Sequence, residues 1–264
     1  MKNKIMYYYF FILFQCLFFS SIHASTTLEE DKIFNYNYSI YNTLPSVEEA
    51  DVNLKLRRDF DSFLLESKEI ACRYNLEEIM GVRLIHRHTF LNENQAMIEK
   101  KQEFENKPAL ITYRQNIENI EDAVPASWIL KEDHFYVFEY SSDEKVKNGF
   151  NFLRTNQEFF NDYASLLVKY SYQSLVAPAI LNREWYKNYI GETVFLEKSY
   201  SDRSNFFSVI TVEDLSNSEL SNSIQTAWMF IKHPISHGCQ SVTVCYPEKK
   251  LPGGHTTLQR HKST

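Results

Sequence analysis

The sequence predicts an α+β fold in which antiparallel sheet packs on two long helices, at about 46–73 and 144–176. Three observations lead there. Apolar residues recur at three- and four-residue steps in those two stretches. The segments between and after them are short, alternating apolar runs joined by turn-forming residues. Helices and strands come in blocks rather than in repeating βα units, which favours antiparallel sheet over a doubly wound parallel one.

The chain opens with Lys2 and Lys4, then an apolar stretch from Ile5 to Phe19 interrupted by Gln15, then Ser20, Ser21, Ile22, His23 and Ala24. Positive charge, apolar core and small-residue exit are the order of a secretory signal peptide. Cleavage is expected after Ala24, with residues 1–24 removed and the mature protein secreted or periplasmic. No later segment is long and apolar enough to span a bilayer. Residues 25–45 are polar and rich in Tyr and Asn, and read as an extended leader.

Ser46 opens the first helix, with Glu49 three residues on in a capping-box pattern. Val52, Leu56, Phe60, Phe63, Leu64 and Ala71 then recur near the helical period. Val82–Phe90 changes to a strand period, placing Val82, Leu84, His86 and His88 on one face and Arg83, Ile85 and Arg87 on the other. Ala109–Tyr113 is a second short strand. Trp128–Leu130 and Phe135–Tyr140 flank Lys131-Glu132-Asp133-His134 as a hairpin. Phe152, Phe159, Phe160, Tyr163, Leu166, Leu167 and Tyr170 mark the second helix, and Pro178 ends or kinks it. Thr193–Tyr200 and Phe206–Val212 form another hairpin, and Ala227–Ile231 and Ser241–Tyr246 are further strands. Residues 46–247 therefore form a single α+β domain, and the polar stretch 248–264 reads as a mobile tail.

Composition narrows the function classes. The net charge of −6 argues against a nucleic-acid partner, which usually meets a basic face. Aromatic residues make up 15 %, too many for a disordered chain. No phosphate-binding loop, dinucleotide glycine motif, Gly-x-Ser-x-Gly elbow or His-Glu-x-x-His helix is present. Three cysteines follow the signal: Cys72, Cys239 and Cys245. All are disulfide candidates in an exported protein, and the odd number leaves at least one outside any intrachain bridge.

The most specific chemical pattern is Leu84-Ile85-His86-Arg87-His88. Two histidines at i and i+2 on a strand share a face and can grip one ion, and imidazole suits divalent transition metals such as Zn. Glu93, His237 and Cys239 are candidates to complete the shell. The spacing Gly81-x4-His86-x-His88-x4-Glu93 resembles the first motif of the cupin barrels over 13 residues. That resemblance implies two His and a Glu as metal ligands. The second cupin motif has no match here.

Two functions remain open at this level. One is a metal-dependent hydrolase or oxygenase built on His86 and His88. The other is a secreted binding or interaction module without catalysis, taking a small-molecule or protein partner. Its mark is the leader at 33–41 (Phe34, Tyr36, Tyr38, Tyr41), since Tyr offers contact area at low entropic cost.

Overall fold

The computed structural model describes residues 35–104, 107–183, 193–199, 205–211, 224–230, 240–247 and 255–262. It is a mixed structure of helix and curled sheet, as expected for the α+β class.

The two expected long helices are each broken in two. Val47–Lys55 (α2) and Phe60–Arg73 (α3) replace the first, and Glu144–Leu153 (α4) and Glu158–Tyr170 (α5) the second. The first break falls at Leu56-Arg57-Arg58-Asp59. Arg57 turns away from the helix to donate to Asp59 and to the carbonyl oxygens of Tyr170 and Ser171 at the end of α5. The second break is held by Thr155 and Asn156, whose side chains donate to the Phe152 carbonyl. Ser171 then ends α5 in the left-handed region, at φ 55°.

Ser46 caps α2 in the expected capping box: Glu49 N–H donates to Ser46 Oγ, and Ser46 N–H donates to Glu49 Oε2. Asp143 caps α4 by accepting from the N–H groups of Lys145 and Val146.

Among the described residues there are eleven strands. They are β1 (Met80–Leu84), β2 (Gln95–Phe104), β3 (Lys107–Asn116), β4 (Val124–Lys131), β5 (His134–Ser141), β6 (Val176–Ile180), β7 (Thr193–Ser199), β8 (Asn205–Thr211), β9 (Ile224–Phe230), β10 (Gln240–Pro247) and β11 (His255–Lys262). They pair in the order β1-β6-β4-β5-β2-β3-β8-β7-β11-β10-β9, and β9 returns to β1 to close the ring. Pairing is antiparallel except for β2 and β5, which run parallel over Ile98↔Tyr140 and Glu99↔Ser141.

Both expected hairpins form. Glu132 and Asp133 make the β4–β5 turn at φ 50° and 63°, the two-residue turn whose twist suits a hairpin. The β7–β8 pair joins Ser199 to Asn205. The expected tail differs: His255–Lys262 pairs with β10 on one side and β7 on the other.

The helices cover one face of the sheet. Val82 and Leu84 of β1, Trp128 of β4 and Val176 of β6 meet Phe63, Phe150, Phe159 and Phe160 there. The opposite face of the same strands carries Arg83, Ser127 and Ile129, because alternate strand residues point oppositely.

The described part of the leader, residues 35–45, packs on the domain. Tyr38–Asn42 is a short helix (α1) capped by Asn37. Tyr41 is buried against Phe138, and Tyr36 packs on Tyr140 while its hydroxyl donates to the Gln95 carbonyl. Val137 N–H donates to the Asn35 carbonyl, so the leader adds a short stretch of pairing to β5. Ile40, Tyr41 and Leu44 form a second apolar cluster with Ile85, Met97, Ile129 and Phe138.

Candidate functional site

β1 ends at Leu84, so His86 and His88 lie just past the strand rather than on it. Ile85 N–H still donates to the Leu175 carbonyl, and from Arg87 to Leu91 the backbone takes its partners from the leader. Arg87 N–H donates to the Pro45 carbonyl, and its guanidinium donates to the Leu44 carbonyl. His88 N–H donates to the Tyr41 hydroxyl at 3.0 Å. Asn42 and Leu91 exchange a reciprocal pair of hydrogen bonds, both 2.8 Å. The loop is thus strapped to α1 on both sides.

Within that strap the two histidines still converge. Their ring centroids are 4.9 Å apart, and they are 2 % and 8 % exposed. His86 Nδ1 lies 2.9 Å from the Leu84 carbonyl, and His88 Nε2 lies 2.8 Å from Glu139 Oε1. Carbonyl and carboxylate oxygens only accept, so each of these ring nitrogens carries its proton. The ring nitrogens opposite these contacts are Nε2 of His86 and Nδ1 of His88.

Behind His88 is a buried ionic network. Glu139, 1 % exposed, accepts from His88 and also from the Arg83 guanidinium. Arg83 extends towards Glu99 at 3.9 Å. Glu99 Oε1 accepts from Arg183 Nε at 2.7 Å and from Ser141 Oγ at 3.0 Å. Arg183 is anchored in turn on the carbonyls of Ile180 and Asn182. Register explains the meeting: Glu99 sits opposite Ser141, and Glu139 sits opposite Ser127. The Ser127 hydroxyl is buried with no hydrogen-bond partner among the described residues. Burial holds the neighbouring Asp143 carboxyl above its ordinary range, and Arg183 opposes that shift.

Sequence reasoning missed Arg83, Glu99, Glu139 and Arg183 as members of the site. A usable signal existed for two of them. Glu139 interrupts the apolar run Phe135–Tyr140, and Glu99 directly follows the buried Met97-Ile98. A charged residue inside an apolar strand is rarely buried without a partner.

Glu93 is exposed on the turn before β2. His237 and Cys239 lie outside the described residues, and Cys245 lies in β10. Cys72 is exposed in the last turn of α3. Among the described residues no three His, Cys, Asp or Glu side chains group around one point as a metal shell would.

A cleft of about 500 Å³ adjoins the histidine loop. Its floor is Ile40, Leu44, Ile85 and Ile129, and its rim includes Lys131, Glu132, Asp133 and Ser174. Ile85 precedes His86, so the same loop carries the histidines and part of the cleft floor. Among the described residues no helix is long and apolar enough to cross a membrane.

No family model matches the chain, and neither a curated protein nor a solved structure is significantly similar to it.

Proposed function

We propose that this is an exported protein that holds one divalent transition-metal ion, zinc being the simplest case, between His86 Nε2 and His88 Nδ1. One observation carries the reading: each histidine has its other ring N–H committed to an oxygen acceptor, Leu84 O for His86 and Glu139 for His88. Metal-binding histidines are oriented in just this manner, by a backbone carbonyl or a carboxylate on the far nitrogen. The 4.9 Å spacing of the rings suits two imidazoles on one ion. Two imidazoles leave further coordination positions, where a bound ion supplies Lewis acidity to water or oxygen. That is the chemistry of a hydrolase or oxygenase. The chain's own part is to fix tautomers through Leu84, Glu139 and Arg83 and to keep both rings buried.

The test is a calorimetric Zn titration of the chain from Ser25 onward, paired with thermal melting. One binding site per chain is expected, with a melting temperature that rises as free Zn rises. Both effects are expected to vanish in His86→Ala and in His88→Ala. A wild-type protein that gives neither binding heat nor a thermal shift overturns the metal reading.

The cleft favours a second reading, a binding module without catalysis. Pockets of about 300–1,000 Å³ with apolar walls and a few polar groups are the usual form of small-molecule sites. A protein without bound metal that still takes a ligand in the cleft would select it.

A further inference from the structure

We infer that the cleft between α1, the tip of the β4–β5 hairpin and the turn after α5 binds an amphiphile with an apolar chain and a cationic head. This inference stands apart from the metal reading, because no residue of the histidine pair lines the cleft.

The apolar part follows from the floor. Ile40, Leu44, Ile85 and Ile129 converge from a helix, a loop and a strand that are otherwise in the core. Val168, on the last turn of α5, adds a wall that is 50 % exposed. A large aliphatic side chain exposed beside an apolar floor is covered when a chain-like ligand enters.

The cationic part follows from the mouth. Glu132 and Asp133 both line it, and both are exposed. Their backbones are fixed in the left-handed region by the tight turn, at φ 50° and 63°, so the two carboxylates stay at the hairpin tip. Lys131 shares the rim, and the acids outnumber it. The net charge of −6 over the chain adds a field of the same sign. An apolar chain laid on the floor therefore brings its head to a negative mouth. An anionic head of the same length would meet repulsion there.

Decyltrimethylammonium and decanoate carry matched chains and opposite heads. Calorimetric titration of the wild-type chain, at low salt and below the micelle threshold, is expected to show one decyltrimethylammonium site. Decanoate should bind about five- to tenfold more weakly, the range that two exposed charge contacts provide. The preference should shrink as salt is added. It should disappear in the Glu132→Gln/Asp133→Asn double variant, whose substitutions are exposed and compatible with the turn. Val168→Ser should weaken both amphiphiles alike. Decanoate binding as tightly as the cation, a preference that survives the double variant, or no binding of either amphiphile would each overturn the inference.

Discussion

His88 Nε2 and Glu139 Oε1 meet at 2.8 Å across 51 residues of chain, with the Arg83 guanidinium on the other oxygen of the same carboxylate. Glu139 thus joins the end of β1 to the middle of β5 and fixes how His88 is protonated. Buried ion pairs contribute little net stability, because desolvation offsets their attraction, but removing one partner is costly. Glu139→Gln keeps the volume and removes the charge. It is expected to cost about 3–5 kcal/mol in urea unfolding. If a metal binds, the same change should weaken it by about 10- to 100-fold through the lost orienting carboxylate. Unchanged stability would mean that Arg83 and His88 find other partners.

Tyr41 offers a gentler probe of the strap. Its hydroxyl accepts the His88 N–H in a buried setting. Tyr41→Phe keeps the ring on Phe138 and leaves that N–H unsatisfied, which is expected to cost about 1–3 kcal/mol. Amide hydrogen exchange at His88 should accelerate by more than the global change. Equal protection at His88 in both proteins would contradict the strap.

The two glycines in close contact should behave differently. A Cβ on Gly81 would sit 2.3 Å from the Trp228 carbonyl oxygen, where β1 meets β9. A Cβ on Gly149 would sit 2.9 Å from Ile79 Cγ2 and 3.1 Å from Ile180 Cγ2, methyls of stiff β-branched side chains rather than backbone. Gly81→Ala is expected to cost about 3 kcal/mol or more, or to prevent folding. Gly149→Ala should cost less, about 1–2 kcal/mol, since side-chain methyls rather than a backbone carbonyl must shift and helix propensity offsets part of the clash. Comparable losses in thermal melts would show that β1 and β9 are less tightly apposed.

Asp143 gives a pH dependence of definite sign. Burial, with Glu99 adding to it, raises its carboxyl above the ordinary 3.8, while Arg183 and the two cap hydrogen bonds act the other way. The folded state therefore holds this proton more tightly than the unfolded state. Its contribution is fully present below about pH 3.8 and is lost as pH rises through the folded value. Asn also caps helices, so Asp143→Asn keeps the start of α4 and removes the titration. The variant should match or exceed wild type at pH 7, with any advantage fading below about pH 4. A loss of equal size at every pH would place the effect in the cap rather than in the charge.

The parts of the fold legible in the sequence are those set by local chemistry. Ser46 with Glu49 announced a helix start, and Lys131-Glu132-Asp133-His134 announced a hairpin, because caps and tight turns depend on a few adjacent residues. The helix breaks at Leu56–Asp59 and Thr155–Asn156 were not legible. Apolar spacing runs through both, and Arg57 leaves the helical path for carbonyls 113 and 114 residues away. The strand at His86 was misplaced for a similar reason, since the loop's partners are in α1. The histidine pair itself was visible as a pattern. Its supports were not, because Glu139 and Arg83 meet only through the pairing order β1-β6-β4-β5, which sequence spacing does not reveal.

Histidine ring nitrogens can be observed directly by long-range proton–nitrogen NMR on the chain from Ser25 onward. In the metal-free protein, His86 is expected to carry its proton on Nδ1 and His88 on Nε2. On addition of one equivalent of Zn, the signals of His86 Nε2 and His88 Nδ1 should move to values typical of metal-bound nitrogen, with the protonated nitrogens little changed. The opposite tautomer at either ring, or spectra indifferent to Zn, would contradict the assignment of these two histidines as a metal-binding pair.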